Sequence, residues 1–489
     1  MKKLKILIAA RTSWHLRDMV ESGTLDKLKK EFNLSFIYFD KKISTANEKE
    51  EYNLSSYGDF NVYPKKLPEW IVKKETGIKK KFQTLRRIFR PSINHIVYFL
   101  NQLNFNKRYI QKKNLYGELH LSLFNFEIKL IKTFIFLKID FLVVKILKFF
   151  LRLTAPNIIP RDKNYDLALV CYNSFNAFGY IDDFLRDARK IDLKTFGLQM
   201  DLDNLISRRP LEVPDFLGVW GMQTFTWCIN SHKIPTYKLA LIGTPRVDLL
   251  KKDLPSKEES KTFLKIPLHS KVLLFCPASR NHDENYILHT FQSGVDKGFF
   301  PQNTYIFFKD HSGKIYIKEA LDTYKIRDKE KLKNIIFWSD IDDKFYNNIA
   351  TPLDIYRYFY GACEATISPL STMHVEAMLL GIPALCYTYT LDEKLHSHEL
   401  KMDRYKHRIY HYPSLRSDCI VLCEGRKNIN NDIKAILEKS KNPEISNLCK
   451  LTATHGIYTG KKLASDRIVE NIYKIFEKGP LDESYKYYE

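Results

Sequence analysis

Short apolar runs alternate with segments of helical periodicity along this 489-residue chain, and the alternation occurs in two successive series. Strands that alternate with helices form parallel sheets whose two faces are both covered. A chain of this length also exceeds what one hydrophobic core supports. The pattern therefore predicts an α/β protein with two Rossmann-like, doubly wound domains. The predicted strands are residues 4–9, 34–39, 166–171, 194–199, 216–220 and 238–242, then 272–276, 305–308, 335–338, 365–368 and 384–387.

Residues 251–268 separate the two series. They are rich in Lys, Glu and Ser and contain Pro255 and Pro267, a composition typical of a domain boundary. We therefore predict an N-terminal domain over 1–250 and a C-terminal domain over 251–459. Between the strands, helices are predicted over 14–30 and 371–380, among others.

Residues 66–155 interrupt the first series and form a predicted basic, mostly helical insertion in the N-terminal domain. Its apolar part, 124–153, carries lysines mostly on one side of a helix and is too charged to cross a membrane. This pattern favours a helix that lies on anionic lipid, and the alternative is a helical subdomain with solvated lysines. The preceding stretch, 73–90, is strongly basic through Lys79, Lys80, Lys81, Arg86, Arg87 and Arg90.

The formal net charge of +21 points to phosphate-rich partners. Zinc-finger and RNA-binding signatures are missing from the sequence, so we expect nucleotide or lipid partners and no nucleic acid. The eight cysteines are scattered without metal-ligand spacing, which predicts buried thiols in a reducing cytoplasm.

The segment 365–383 reads as a buried strand, a polar turn, a helix and a Gly-x-Pro break. Ser368 ends the strand, and Ser371 and Thr372 begin the helix. The first N–H groups of a helix and its dipole favour an anion, most often a phosphate. Glu376 lies one turn into the helix, where we expect it to reach a ribose. These four residues are the predicted core of a nucleotide-donor site.

Further polar residues follow other predicted strands of the second series. Arg280, Lys309 and His311 come after the carboxyl ends of two strands, and a cation there stabilises a departing phosphate. A ligand cleft is expected at such strand ends.

Polar residues that could bind or deprotonate an acceptor hydroxyl follow two predicted strands of the first series. Arg11 and His15 follow the first strand, and His15 is a candidate base because histidine titrates near neutrality. A role for His15 in substrate binding is equally open. Asp201 and Asp203 follow another strand as rival bases, and Asn204 with Arg11 is assigned to the acceptor. Asp203 and Asn204 also suit a simple turn.

The combination Ser371-Thr372-x-x-x-Glu376-Ala-x-x-x-Gly381-x-Pro383 resembles the nucleotide-donor motif of two-domain (GT-B) glycosyltransferases. The runs 201–205, 214–221 and 241–250 are similar to the end of the N-terminal domain in bacterial surface-polysaccharide glycosyltransferases. That group borders the CDP-glycerol glycerophosphotransferases and the UDP-GlcNAc 2-epimerases. The chain departs from its pattern where Leu202 replaces a usual Trp before Asp-Asn and Ser312 replaces a usual Pro after His. The resemblance covers roughly 160–475 and the first strand and loop.

This resemblance implies a metal-independent transferase without a cofactor, whose last helix, within 460–489, packs back on the N-terminal domain. We expect a cytoplasmic, peripheral inner-membrane glycosyltransferase that moves a sugar from a nucleotide donor to a glycan or lipid-linked acceptor, in capsule or O-antigen synthesis. Homo-oligomers remain open. The main alternative is glycerophosphate transfer from CDP-glycerol with a base such as His15. A 2-epimerase and a non-enzymatic scaffold are further alternatives.

Overall fold

The computed structural model describes residues 3–10, 13–39, 56–62, 96–97, 100, 133, 140–153, 155–172, 180–202, 204–207, 210–250, 252, 254–277, 284–309, 326, 328–341, 352–369, 371–387, 417–423, 428–477 and 481. The chain divides into two compact units. Unit 1 comprises Met1–Trp220, Thr224–Ile242 and Ser465–Glu489, and unit 2 comprises Gly221–Gln223 and Gly243–Ala464.

Unit 1 is built on a seven-stranded sheet in the order β3-β2-β1-β4-β5-β6-β7. Every neighbouring pair is parallel. The central strands are buried along almost their whole length because helices cover both faces. The strands are β1 Lys5–Ala10, β2 Asn33–Tyr38, β3 Gly58–Val62, β4 Leu167–Tyr172, β5 Thr195–Gln199, β6 Phe216–Val219 and β7 Leu239–Leu241.

Unit 2 repeats this architecture with a six-stranded parallel sheet in the order β10-β9-β8-β11-β12-β13. Its strands are β8 Lys271–Phe275, β9 Thr304–Phe308, β10 Ile335–Phe337, β11 Ala365–Ser368, β12 Ala384–Tyr387 and β13 Ile420–Cys423. The expected fold class, two parallel-sheet α/β domains, is therefore confirmed.

The helices of the described residues fall mostly between consecutive strands. They are α1 Ser13–Glu21, α2 Thr24–Glu31, α3 Asp140–Leu153, α4 Tyr180–Lys190, α5 Asn204–Ser207, α6 Met222–Asn230, α7 Pro245–Leu250, α8 Lys257–Phe263, α9 Glu284–Asp296, α10 Trp338–Ile341, α11 Leu353–Ala362, α12 Thr372–Leu379, α13 Ile429–Lys439, α14 Pro443–Gly456 and α15 Ala464–Glu477.

The last helix, α15, completes the core of unit 1. Ile468, Ile472 and Ile475 recur at helical spacing and pack into the cluster formed by β1, β2, β4 and β5. The end of the chain thereby stabilises the unit in which the chain begins.

Local backbone geometry changes one predicted helix. The single helix expected over 14–30 is two helices, α1 and α2, separated at Gly23. Gly23 has φ 74, a left-handed conformation that glycine adopts without steric cost and that ends a helix.

Little of the predicted insertion lies within the described residues. The basic stretch 73–90 is outside them, and the apolar stretch 124–153 is seen chiefly as α3. Within the described ranges, no helix has the length and apolarity needed to cross a bilayer.

Candidate functional site

The carboxyl edge of the unit 2 sheet contains the point where the direction of chain winding reverses. From β8 the chain moves outward to β9 and β10, and it then returns to place β11 on the other side of β8. Connections diverge at such a point and leave a crevice that commonly binds ligands in open α/β sheets.

Two predicted site residues lie at this edge. The backbone N–H of Lys309 donates to the Phe275 carbonyl at 2.9 Å, which extends the β8–β9 ladder to the end of both strands. Cys276 similarly donates to the Ile367 carbonyl at 2.8 Å and joins β8 to β11. Lys309 and Ser368, both buried, therefore flank the end of β8 on its two sides.

The start of α12 is organised by its own residues. Ser371 has extended backbone angles, φ −140 and ψ 163, and its hydroxyl donates to the Ser368 hydroxyl at 3.4 Å. Its N–H donates to Nδ1 of His374 at 3.1 Å. Burial lowers the pKa of His374 to about 3, so the ring is neutral and its proton is on Nε2. His374 thus fixes the first turn of the helix that follows β11.

Glu376 has partners that the sequence did not suggest. Its side chain is only 1% exposed, and Oε1 lies 2.7 Å from Nε of Arg246. Oε2 accepts hydrogen bonds from Nη2 of Arg246 at 3.2 Å and from the Tyr360 hydroxyl at 2.9 Å. Burial raises the pKa of Tyr360 well above its usual value, so its hydroxyl remains a donor. The assignment of Glu376 to the donor stays a prediction, because the structure shows this carboxylate in contact with Arg246 and Tyr360.

The ring of Tyr356 lies close to two cations, Arg246 and Lys309. It lies one helical turn before Tyr360 on α11, so both rings are on one face of the helix. Cζ of Arg246 is 5.0 Å and Nζ of Lys309 is 5.1 Å from the centroid of the Tyr356 ring. The two cations are therefore no more than about 10 Å apart. An anion bound between them would be attracted by both and would reduce their mutual repulsion.

Cys276 lies among these charges. Burial raises the pKa of its thiol to about 12, with Lys309 opposing and Glu376 adding to the shift. The thiol is therefore not ionised at neutral pH, and we assign it no nucleophilic role.

The other predicted residues that the structure describes belong to unit 1. His15 is buried in α1, at 4% exposure, and Asp201 follows β5 half-buried. The segment containing Asp201 is held by Gln199, whose Nε2 donates to the Asp201 carbonyl at 2.9 Å and whose Oε1 accepts from the Trp220 N–H at 2.9 Å. These contacts fix the carboxyl ends of β5 and β6 relative to each other.

The structure thus brings Lys309, Ser368, Ser371 and Glu376 together in unit 2, with Thr372 in the first turn of α12. Several predicted residues lie outside the described part of the chain, namely Arg11, Asp203, Arg280, His311 and the side chain of Asn204.

Arg246, Tyr356 and Tyr360 were missed as site residues. Arg246 falls in the run 241–250, which carried the resemblance, but a local pattern does not show that its partner is 130 residues away. The four-residue spacing of the two tyrosines was the available signal. Asp248 in the same run accepts a hydrogen bond from the Ala464 N–H at 2.8 Å at the start of α15, and is thus structural.

Metal ligands were sought across the described ranges, which contain no group of three or more His, Cys, Asp or Glu side chains able to hold an ion. Metal independence remains a prediction.

No family model and no curated protein matches this sequence. Solved structures do match in fold. A putative UDP-N-acetylglucosamine 2-epimerase from Listeria monocytogenes aligns with TM-score 0.53 and 11% identity over 99% of each chain. S. aureus MnaA, solved with UDP, aligns with TM-score 0.52 and 12% identity over 97% of each chain.

A UDP-GlcNAc 2-epimerase from Neisseria meningitidis, bound to UDP-GlcNAc, aligns with TM-score 0.50 and 13% identity over 96% of this chain and 100% of its own. At such identities the likeness establishes the fold alone. The chain has a GT-B-like fold of two Rossmann-like domains, so the resemblance drawn from its motifs is confirmed at that level.

Proposed function

We propose that the protein is an enzyme that binds a nucleotide-activated sugar in unit 2 and transfers the sugar to a glycan or lipid-linked acceptor. The observation that carries this proposal is the grouping of Arg246 and Lys309 around Tyr356, beside Ser368 and the start of α12. Cations and oriented N–H groups at this edge match the phosphates of a nucleotide donor. The bound UDP and UDP-GlcNAc of two proteins with this fold support the same donor class.

The acceptor side is assigned to unit 1. If transfer inverts the sugar, a base must take the proton of the acceptor hydroxyl. His15, Asp201 and Asp203 are the candidates for this base, and Arg11 and Asn204 are the candidates for acceptor binding. Capsule or O-antigen synthesis is the pathway class that fits a membrane-presented acceptor.

Peripheral binding to the inner leaflet is the second part of the proposal, and α3 supports it. Four large apolar side chains on this helix are exposed: Leu142 by 57%, Ile146 by 57%, Phe149 by 64% and Leu153 by 66%. Their spacing of four, three and four residues places them in one row along the helix. We call these four residues the exposed row.

The opposite face of α3 is attached to unit 1. Val144 and Leu151 on that face are buried, and Arg152 contacts the buried Glu212 at 3.3 Å. Lys148 donates to the Leu211 carbonyl at 3.4 Å. The helix is thereby held flat with the exposed row outward, and exposed Lys145 lies beside that row.

An anionic lipid surface is the occupant that this arrangement favours. The exposed row presents on the order of 400 Å² of apolar surface, about half of what one partner buries in a stable protein dimer. Shallow insertion into a bilayer needs no further area, and the net charge of +21 complements anionic headgroups.

Vesicle sedimentation tests the membrane part. Binding should require anionic lipid, fall with salt and yet persist, because the apolar contribution is insensitive to salt. Ser substitutions of the exposed row should remove the persistent part, whereas Leu451→Ser, at a residue 71% exposed in unit 2, should leave binding unchanged. Gln substitutions through the basic stretch 73–90 should remove most salt-sensitive binding. Equal sedimentation of the row variant and the native protein would contradict the proposal, as would salt-stable dimers that the row variant abolishes.

Calorimetry and mass spectrometry on the full chain test the catalytic part. We expect a nucleotide or nucleotide sugar to bind, and slow release of free nucleotide from the matching nucleotide sugar without an acceptor. Conversion of UDP-GlcNAc to its 2-epimer would replace the proposal with an epimerase, and release of CMP from CDP-glycerol would replace it with glycerophosphate transfer. Failure of every nucleotide to bind would favour a scaffold without activity.

A further inference from the structure

The buried position of Glu376 raises the question of which part of a donor it serves. Oε2 accepts hydrogen bonds from Arg246 and Tyr360, whereas Oε1 makes an ion-pair contact with Nε of Arg246 and has no hydrogen-bond partner among the described residues. At 1% exposure, the carboxylate presents almost no surface to a ribose hydroxyl. The member of the pair that reaches the surface is Arg246, whose side chain is 19% exposed.

The contacts of Arg246 fix its guanidinium in two ways. Nη2 of Arg246 donates a hydrogen bond to Oε2 of Glu376 at 3.2 Å, and Nε lies 2.7 Å from Oε1 as an ion-pair contact, so the carboxylate holds the guanidinium along its Nε–Nη2 edge. The ring of Tyr356 lies 5.0 Å from Cζ and adds a cation–π contact that further restricts the guanidinium. A guanidinium held in this manner is preorganised, so it loses little conformational entropy when it binds a ligand.

The chemistry of the surroundings indicates the ligand class. Lys309 adds a second cation 5.1 Å from the same ring. The planar guanidinium and the ammonium, which are no more than about 10 Å apart, suit a group with several acidic oxygens on two centres, which is a diphosphate. The Ser371 end of α12 follows β11 at the same edge of the sheet.

We propose that Arg246 binds the diphosphate of the donor and that Glu376 and Tyr360 are positioning residues that hold Arg246 in place. The inference rests on the proposed donor site in unit 2 and assigns Glu376 to the phosphates through Arg246, instead of to the ribose.

The direction in which Glu376→Gln changes anion affinity separates a positioning role of Glu376 from a purely electrostatic effect. Glu376→Gln removes a negative charge beside the site, so Coulomb's law alone predicts tighter binding of an anion. If Glu376 instead holds Arg246 in its binding geometry, the same substitution weakens that binding.

The experiment is calorimetry on the full-length protein with inorganic pyrophosphate, UDP, CDP, uridine and cytidine. Glu376→Gln should weaken pyrophosphate and the preferred nucleotide by similar factors of about tenfold, and leave nucleoside binding unchanged. Arg246→Lys keeps the charge but loses the planar guanidinium, and should have a comparable effect. Tyr360→Phe removes one neutral hydrogen bond and should cost a few-fold.

Glu364→Gln is the matched control. This substitution makes the same change of charge in the same unit. Glu364, however, precedes β11 and pairs with Lys257 at the opposite edge of the sheet. The substitution should leave pyrophosphate affinity unchanged. A thermal scan of each variant checks that unit 2 is folded, and Tyr360→Phe keeps the test valid if Glu376→Gln unfolds.

The outcomes separate this inference from the proposed function. Unchanged or tighter pyrophosphate binding by Glu376→Gln, with loss of nucleoside binding, would overturn the inference in favour of direct ribose recognition. Unchanged binding by Arg246→Lys, or no binding of pyrophosphate by the native protein, would also overturn it. Pyrophosphate binding that depends on Glu376, in a protein that binds no nucleotide, would uphold the inference and refute the proposed donor.

Discussion

Each unit of the molecule contains a buried glutamate that is paired with arginine, and the two differ in what surrounds them. Glu212 of unit 1 contacts Arg186 at 3.0 Å, Arg152 at 3.3 Å and also Arg189. Glu376 of unit 2 contacts one arginine, Arg246, and a tyrosine hydroxyl. Both carboxylates are 1% exposed, so burial does not distinguish them.

Location distinguishes the two clusters. The arginines around Glu212 come from α3 and α4, so the cluster ties two helices to the segment before β6. The Glu376 cluster lies at the carboxyl edge of a parallel sheet, where Lys309 and Ser368 also lie. Of these two clusters, the Glu376 cluster is therefore the one that lies where open α/β sheets commonly bind ligands.

The largest expected effect is the loss of stability in Glu212→Ala. Removing one partner of a buried charge network leaves Arg186 with less compensation, at a cost of about 3–5 kcal/mol. Thermal unfolding of unit 1 should shift down by roughly 10 °C. Glu376→Gln is the comparison variant and should shift unit 2 much less, since the side chain of Arg246 is 19% exposed whereas that of Arg186 is 1% exposed. Equal shifts would remove the distinction drawn between the clusters.

The pH dependence of the Glu212 cluster is the next effect. Burial raises the pKa of Asp182 to about 7, with Arg186 opposing and Glu212 adding to the shift. Since the folded pKa exceeds the ordinary value of 3.8, the folded state binds more protons between about pH 4 and 7, and this group reduces stability as pH rises through that window.

Asp182→Asn removes this titration. The melting temperature of the variant relative to the native protein should therefore rise by several degrees between about pH 4 and 8. Glu212 titrates in another range, because Arg186 and Arg189 outweigh burial and lower its pKa to about 2. Its stabilisation is complete above about pH 4.5 and is lost as pH falls towards 2. A difference between variant and native protein that is flat from pH 4 to 8 would refute the role of Asp182.

Substitutions in the proposed donor site should affect binding more than stability. Ser371→Ala and Glu376→Ala should each reduce nucleotide affinity about tenfold or more, because a charge-assisted hydrogen bond contributes about 1.5–3 kcal/mol. Calorimetry measures the loss, and far-ultraviolet circular dichroism checks the fold. Unchanged affinity for every nucleotide that binds would mean that the site lies elsewhere.

The smallest expected effect is that of a chelator. Cations and helix-terminal N–H groups are proposed to hold the phosphates, so EDTA should change neither turnover nor melting temperature. Loss of turnover in EDTA that magnesium or manganese restores would show a metal requirement. The phosphates in unit 2 would then be held by a metal ion in addition to the side-chain cations.

The sequence by itself predicted eleven of the thirteen strands in the described residues, and the two that the predicted series omit, β3 and β13, each lie at an edge of a sheet. β11 and β12 have the predicted limits, because apolar runs bounded by turn residues report burial directly. The position of Lys309, Ser368 and Ser371 at one edge of the unit 2 sheet follows for the same reason, since the carboxyl ends of parallel strands share one edge, and their role in donor binding stays a prediction.

Only the tertiary structure decided which side chains meet. Arg246 reaches Glu376 across 130 residues, and Glu212 collects arginines from two helices. Such contacts depend on how each helix is rotated and packed on its sheet, and local periodicity does not specify that rotation for polar residues. The sequence thus predicted which edge of the sheet carries the polar residues, and tertiary packing determined that Glu376 pairs with Arg246 there.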